Sequence, residues 1–190
     1  AVKAGWTVID IGAGVGDFTL WAARKAETVY AFEPFAESFG LLQDNVDLNE
    51  TTNVHLFAEA VVGQSGTLTL DLSAGEPLQI SLALAEKRPG RNHVSVACHT
   101  LEDIFQRLDL DQCHLLKIDC EGAEYAILFN TPDQILAKIE HIVLEYHENV
   151  VPHTCSDLRD FLERKGFRVD TWPNQVHAHL GYLYAQRITS

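Results

Sequence analysis

The order of apolar and polar positions divides the chain into short apolar runs that alternate with segments of helical periodicity. Five runs, at residues 8–11, 28–32, 54–62, 115–119 and 139–145, predict strands. They have the length and apolar character of parallel strands that are buried on both faces. The segments between them have apolar residues three or four positions apart, which is typical of helices. This alternation predicts a doubly wound, mostly parallel α/β sheet that binds ligands at the carboxyl ends of its strands.

The rest of the pattern predicts additions to this sheet. Residues 63–66 read Gly-Gln-Ser-Gly, a turn, and residues 67–72 alternate apolar and polar positions, so the third strand is expected to continue into a β-hairpin. Residues 93–98, 167–171 and 180–186 predict further strands, and Thr-x-x-Asp capping boxes at Thr100 and Thr154 predict two helix starts. Residues 73–92 lack periodicity and predict a functional loop that contributes to substrate specificity.

A glycine-rich turn follows the first strand. Gly12, Gly14 and Gly16 can adopt backbone angles that a side chain forbids, and they let a ligand approach the main chain. Asp10 and Asp17 flank the turn, so an anionic pyrophosphate would be repelled, whereas the sulfonium and ammonium of S-adenosylmethionine would be attracted. The spacing G-x-G-x-G also differs from the dinucleotide fingerprint G-x-G-x-x-G. The sequence therefore predicts S-adenosylmethionine as the cofactor, and the alternative is a tight turn without a ligand.

Two more acids are predicted to contact this cofactor. Glu33 ends the second strand, where an acid commonly binds both ribose hydroxyls of a nucleoside. Glu59 follows the core of the third strand and is placed to accept a hydrogen bond from the adenine amino group. The alternative for Glu33 is a solvated carboxylate at the strand end.

The catalytic candidates close the fourth and fifth strands. Asp119 and Glu145 are expected within roughly 5 to 8 Å of each other, because neighbouring parallel strands end at the same edge of a sheet. If the backbone stays extended, Glu121 shares a face with Asp119, and His147 shares one with Glu145. Such a set suits a histidine base or a divalent cation; we favour the base, since a magnesium site would more naturally be all oxygen. The alternative is that Asp119 and Glu121 cap the next helix and His147 lies on the surface.

Composition limits the function classes. The 190 residues fit a single domain spanning residues 1–190, and the net charge of −13 argues against a nucleic-acid partner. No apolar run reaches the roughly 20 residues that span a bilayer, so no membrane partner is expected. The four cysteines form no C-x-x-C pair, which indicates reduced thiols in a cytoplasmic protein. The chain does not begin with methionine, so an N-terminal segment is expected to be missing.

The motifs together resemble a known family. Val-Ile-Asp-Ile-Gly-Ala-Gly-Val-Gly, then Ala-Phe-Glu-Pro, then Leu-Leu-Lys-Ile-Asp-Cys-Glu-Gly-Ala-Glu are similar to the FkbM-type S-adenosylmethionine-dependent methyltransferases, over residues 7–186. The resemblance implies a seven-stranded Rossmann-like sheet whose last strand is antiparallel. It also implies methylation of a hydroxyl on a small-molecule or sugar acceptor.

Other functions stay open from the residues alone. Asp119 is followed by Cys-Glu-Gly and not by the proline-rich tetrapeptide of amino-group methylases of nucleic acid, which disfavours base methylation. The alternatives to an O-methyltransferase are an NAD-linked oxidoreductase and a protein that binds a cofactor or metabolite without turnover.

Overall fold

The structure is a computed structural model that describes residues 1–71, 93–148, 151–177 and 179–188. Its strands are β1 Thr7–Ile11, β2 Thr28–Phe32, β3 Val54–Phe57, β4 Ala60–Val61, β5 Gly66–Asp71, β6 His93–His99, β7 Cys113–Ile118, β8 Ile139–His147, β9 Phe167–Pro173 and β10 Leu180–Arg187. Its helices are α1 Asp17–Ala23, α2 Ala36–Leu48, α3 Leu101–Arg107, α4 Ala123–Phe129, α5 Asp133–Leu136 and α6 Cys155–Arg164. The short α5 was not predicted from the sequence.

Seven strands form the main sheet in the order β3-β2-β1-β7-β8-β10-β9. The pairs from β3 to β8 are parallel, and the last strand, β10, is antiparallel to both β8 and β9. The strand order reverses between β1 and β7, so the loops after these two strands leave the same edge of the sheet on opposite sides of a crevice. This topology confirms the predicted Rossmann-like sheet with its antiparallel last strand.

Apolar side chains cover both faces of the sheet. On one face, the larger core joins residues of β1, β7 and β8, such as Ile9, Ile118 and Leu144, to the buried sides of α3, α4 and α6. On the other face, Val8 and Val29 pack with the alanines of α1, while a separate cluster around Leu42 holds α2. Helices on both faces leave the carboxyl edge of the parallel strands as the open end of the sheet.

The predicted hairpin after the third strand pairs differently from the expectation. β3 ends at Phe57, and β4, β6 and β5 form a separate three-stranded sheet in which β6 lies in the middle. Thus β5 pairs antiparallel with β6, and β4 pairs parallel with β6, so the two expected arms do not pair with each other. The reason is packing, because Ala60 and Val62 are buried against Val96 and Cys98 of β6.

The ends of the other predicted elements agree with the structure within a few residues. α1 ends at Ala23. β8 continues to His147, two residues beyond the predicted strand, since β10 pairs with it as far as Leu180. The predicted loop at residues 73–92 lies outside the described residues. Within the described residues, no helix has the length and apolar character that a membrane crossing requires. All four cysteines are free thiols.

Candidate active site

The glycine loop between β1 and α1 turns through left-handed backbone angles. Gly12, Gly14 and Gly16 have φ values of 72°, 56° and 97°, which side chains rarely adopt. Gly12 also lies against the next loop, since a Cβ there would be 1.8 Å from the carbonyl oxygen of Asp119. At Gly14 a Cβ would meet nothing within 4 Å. Gly12 therefore lets two loops approach each other, and Gly14 leaves open space for a ligand.

Asp10 and Lys117 form a buried ion pair beneath this loop. Asp10 has no exposed surface; its carboxylate accepts a hydrogen bond from the Thr19 hydroxyl at 2.6 Å and lies 3.2 Å from the Lys117 ammonium. Lys117 also donates to the carbonyl oxygen of Gly12 at 2.7 Å. Burial raises the pKa of Asp10, while the charge of Lys117 opposes that shift. The structure therefore places Asp10 under the loop and not in the cavity, with its charge matched by Lys117. The expected direct contact of Asp10 with the cofactor is not supported.

An open cavity of about 200 Å³ lies at the carboxyl edge of the sheet. Its walls include Gly12, Gly14, Phe32, Glu33, Phe35, Val61, Asp119 and Glu121. They come from the loops and strand ends after β1, β2, β4 and β7, where the topology predicts a ligand.

Glu33 is fixed in this cavity by the backbone. Its two carboxylate oxygens accept hydrogen bonds from the backbone N–H groups of Gly14 at 2.8 Å and Phe35 at 2.9 Å, and 4% of the residue is exposed. Burial raises the pKa of Glu33, and the two backbone donors oppose the shift. Each oxygen keeps a further lone pair that can accept a hydrogen bond from a hydroxyl. The alternative of a solvated carboxylate is wrong.

The structure does not bring Glu59 to the cavity walls. Its carboxylate makes two hydrogen bonds with the Arg107 guanidinium, at 3.0 and 2.7 Å, and lies 3.7 Å from His99. The pair joins the segment after β3 to α3. Glu59 therefore has a structural partner in place of the expected contact with adenine.

Asp119, Glu145 and His147 meet at the edge of the cavity. One oxygen of each carboxylate and one ring nitrogen of His147 all lie within 4.8 Å of one another. The separation of Asp119 and Glu145 is thus slightly shorter than the expected range. The two residues directly follow the register partners Ile118 of β7 and Leu144 of β8. Burial raises the pKa of Glu145, and the nearby charge of Asp119 adds to the shift.

His147 is buried between two carboxylates. Its Nδ1 lies 3.0 Å from Oε1 of Glu124, and its Nε2 lies 3.3 Å from Oε2 of Glu121. Burial alone would lower the pKa of His147, but the hydrogen bond to Glu124 and the surrounding negative charges raise it above the ordinary value. Only 4% of His147 is exposed, so the alternative of a surface histidine is wrong.

Neither expected helix cap is present at α4. Its N-cap is Gly122, without a side-chain cap, and Glu121 has a φ of 52°, so the backbone after Asp119 is not extended as the expectation for Glu121 required. The left-handed turn at Glu121 nevertheless directs its carboxylate to His147. Glu121 therefore contacts His147 from this turn and not from an extended strand.

Two residues that complete this region, Glu124 and Lys117, were part of the motif that resembles the family but were not predicted as site residues. Glu124 is fully buried and also accepts a hydrogen bond from the backbone N–H of Cys120 at 3.0 Å. Lys117 stands between apolar residues in β7, and a charge in a buried strand needs a partner, which is a signal that the sequence contains. No comparable signal marks Glu124, since glutamate is common in the first turn of a helix.

The family of the chain follows from its match to known proteins. The family model described as the methyltransferase FkbM domain matches residues 10–169, which include the glycine loop, Glu33 and the Asp119 cluster. The chain belongs to the FkbM methyltransferase family. Membership in a methyltransferase family argues against the alternative that the chain is an NAD-linked oxidoreductase.

A relative and a structural neighbour of this FkbM-family chain are both described as methyltransferases. Methyltransferase 1 of the fungus Beauveria bassiana is 28% identical over 187 residues, which cover 85% of this chain and 72% of the relative. The Streptococcus mutans protein SMU.1697c, solved in complex with SAH, aligns with a TM-score of 0.61 at 12% identity, over 98% of this chain and 91% of that one. These findings support the sequence prediction that the cofactor is S-adenosylmethionine.

The fold alone does not define the acceptor. An rRNA methylase from Streptococcus thermophilus aligns with a TM-score of 0.62 at 10% identity, over 99% of this chain and 90% of that one. The same fold therefore serves an enzyme of nucleic acid, and the fold gives no support for the expected exclusion of nucleic-acid partners.

Proposed function

We propose that this FkbM-family methyltransferase transfers the methyl group of S-adenosylmethionine to a hydroxyl of a small molecule or sugar. The observation that carries the proposal is the cluster of Asp119, Glu145 and His147 beside the cofactor cavity. Asp119 belongs to both the cluster and the cavity wall. A base at this position is close enough to the cofactor edge to take a proton from an acceptor hydroxyl.

The cofactor-binding part of the proposal uses the loop and Glu33. The free lone pairs of Glu33 accept the two ribose hydroxyls, while Gly14 leaves the main chain of the loop open to the methionine portion. Gly12 and Gly16 shape the loop, since they lie against Asp119 and Leu42. Bound S-adenosylmethionine supplies a methyl carbon that its sulfonium already activates. The protein therefore has to orient the acceptor and remove its proton.

His147 is the proposed base. The hydrogen bond from Nδ1 to Glu124 fixes the ring, and Nε2, which lies 3.3 Å from Oε2 of Glu121, takes the proton from the attacking oxygen. Asp119 and Glu145 accept hydrogen bonds from the acceptor and hold the hydroxyl in line with the methyl group. The acceptor oxygen forms a bond to the methyl carbon as the carbon–sulfur bond breaks, and the hydroxyl proton moves to His147.

A divalent cation is the alternative way to activate the hydroxyl. Asp119, Glu145 and His147 offer two oxygens and one nitrogen in a set compatible with such an ion, while Glu121, the fourth expected ligand, contacts His147 but is not part of that set. We favour the base because magnesium prefers an all-oxygen site, and the histidine nitrogen makes this set a mixed one.

Charge supports a neutral or cationic acceptor. Four carboxylates lie around His147, those of Asp119, Glu121, Glu124 and Glu145. The whole chain has a net charge of −13. Negative charge of this size repels phosphate groups, so we do not propose a nucleic-acid acceptor. The four free cysteines support a reducing compartment, and we place the protein in the cytoplasm.

The test is turnover with labelled S-adenosylmethionine and a panel of hydroxylated small molecules and glycosides. We expect methyl transfer to a hydroxyl, a loss of about a hundredfold or more in turnover for His147→Ala, and little change in cofactor affinity. The matched control is His55→Ala, since His55 is exposed on β3 at the edge of the sheet. Added chelator should leave the parent enzyme active.

Three results would contradict parts of this proposal. Activity that is lost to chelator and restored by magnesium or manganese would establish the cation in place of the base. Full activity of His147→Ala would remove His147 from the chemistry. Transfer to nitrogen or carbon, with none to oxygen, would refute O-methylation.

A further inference from the structure

The row of side chains that contains Glu145 continues across the sheet into two aromatic residues. Tyr182 of β10 is the direct cross-strand partner of Glu145, and Trp172 of β9 is the direct partner of Tyr182. Direct partners in antiparallel pairs project from the same face of a sheet with their Cβ atoms about 5 Å apart. Glu145, Tyr182 and Trp172 therefore form one row on one face.

The two aromatic residues are unusually open for their size. Trp172 is 52% exposed and Tyr182 is 48% exposed, and both are among the large hydrophobic residues that the fold leaves in contact with solvent. The next tyrosine along β10, Tyr184, has instead a hydrogen bond between its hydroxyl and Nδ1 of His141 at 3.0 Å, and it stacks on that ring. Trp172 and Tyr182 thus offer apolar area to a ligand.

Their position beside the cluster indicates which ligand this is. Adjacent strands lie about 4.8 Å apart, so Tyr182 and Trp172 extend about 5 and 10 Å from the strand of Glu145. Glu145 in turn lies within 4.8 Å of Asp119 at the cofactor edge. A ring that rests on the aromatic pair can therefore direct a substituent toward the carboxylates where the methyl group is transferred.

We propose that Trp172 and Tyr182 form the acceptor-binding platform and that the acceptor is a neutral sugar. This proposal rests on the proposed hydroxyl methylation. The C–H face of the sugar ring packs on the aromatic rings, whose faces carry partial negative charge. The hydroxyl edge then donates hydrogen bonds to Glu145 and Asp119.

A sugar fits this surface better than the other small-molecule classes. Carboxylates accept hydrogen bonds, and a sugar presents several hydroxyl donors along one edge of an apolar face. A flat phenol has the apolar face but one donor for two carboxylates. Acidic or phosphorylated sugars are disfavoured, since Glu121, Asp119 and Glu145 already concentrate negative charge there.

The test is saturation-transfer NMR of a panel of neutral methyl glycosides, with phenol and catechol as flat aromatic probes and SAH present throughout. At least one glycoside should bind, and Trp172→Ala and Tyr182→Ala should each weaken its binding at least tenfold. Trp172→Phe and Tyr182→Phe keep a ring and should stay within a few-fold of the parent. The matched control is Trp21→Ala, because Trp21 is 50% exposed on α1 and should not affect sugar binding.

Three results would overturn the platform. These are no binding of any glycoside, equal binding by both alanine variants and the parent, and tighter binding of phenol or catechol than of every glycoside. Calorimetric titration of each variant with SAH separates this proposal from the cofactor function. The affinity for SAH should be unchanged in all of these variants. If the parent protein did not bind SAH, the proposed methyltransferase chemistry would be refuted instead.

Discussion

Gly12 and Gly14 lie two residues apart, yet the fold needs them for different reasons. A methyl group at Gly12 would collide with the backbone of Asp119, whereas one at Gly14 would project into open space at the cavity wall. Gly14→Ala should abolish SAH binding and leave a near-native far-UV spectrum, at a cost in stability of about 1–2 kcal/mol from its left-handed φ. Calorimetry and urea unfolding measure the two effects.

Gly12→Ala is the comparison for that variant. It should lower the free energy of unfolding by more than Gly14→Ala does, since backbone atoms must move to admit its methyl group. A Gly14→Ala protein that binds SAH like the parent would show that the turn has no role in binding.

The pH dependence of turnover reports the environment of His147. As a base it must be neutral at Nε2, and its surrounding carboxylates raise its pKa above the ordinary value of 6.5. Turnover should therefore be low in acid and rise with pH through this raised pKa. Glu124→Gln removes one negative charge beside Nδ1, so the rise should move to lower pH. An unchanged pH profile in Glu124→Gln would argue against Glu124 as a positioning residue.

Strands β1 and β7 are joined by a charged contact as well as by their ladder. Asp10 and Lys117 are register partners in this parallel pair, and both are largely withdrawn from water. Lys117→Met would leave a buried, unpaired carboxylate and should lower the free energy of unfolding by about 3–5 kcal/mol. Urea denaturation measures this change, and the double variant Asp10→Asn with Lys117→Met should recover part of the loss.

A small effect of Lys117→Met would contradict this interpretation of the pair. If the single variant lost less than about 1 kcal/mol, solvent or another group would have to neutralise Asp10. The double variant serves as the control, because it removes both charges and keeps side chains of similar size.

Strands and helices could be predicted from the sequence wherever burial sets the pattern. The strands that are buried on both faces have continuous apolar runs, and residues after them, such as Asp119, fall at the carboxyl edge by topology alone. The second sheet was harder, since the choice of β6 as the partner of both β4 and β5 depends on contacts between distant residues. The role of Glu124 was missed for the same reason, whereas the position of Lys117 in a buried strand was a usable signal in the sequence.

At the scale of the whole molecule, the order of the strands assembles the site. Reversal of strand order between β1 and β7 opens the crevice, and the cavity is lined by loops and strand ends of both sheets. The antiparallel β10 then extends the edge beyond β8 and adds Tyr182 to the row of Glu145. Cofactor, base and acceptor platform are thus arranged along one edge of one sheet.

The identity of the cofactor is tested most directly by calorimetric titration of the protein with SAH and with NAD. The parent protein should bind SAH at one site and not bind NAD. Glu33→Ala removes two acceptors for the ribose hydroxyls, each worth about 1.5–3 kcal/mol, and should weaken SAH binding at least tenfold while the domain stays folded. Binding of NAD and not of SAH would refute S-adenosylmethionine as the cofactor. Unchanged SAH affinity in Glu33→Ala would refute the contact between Glu33 and the ribose.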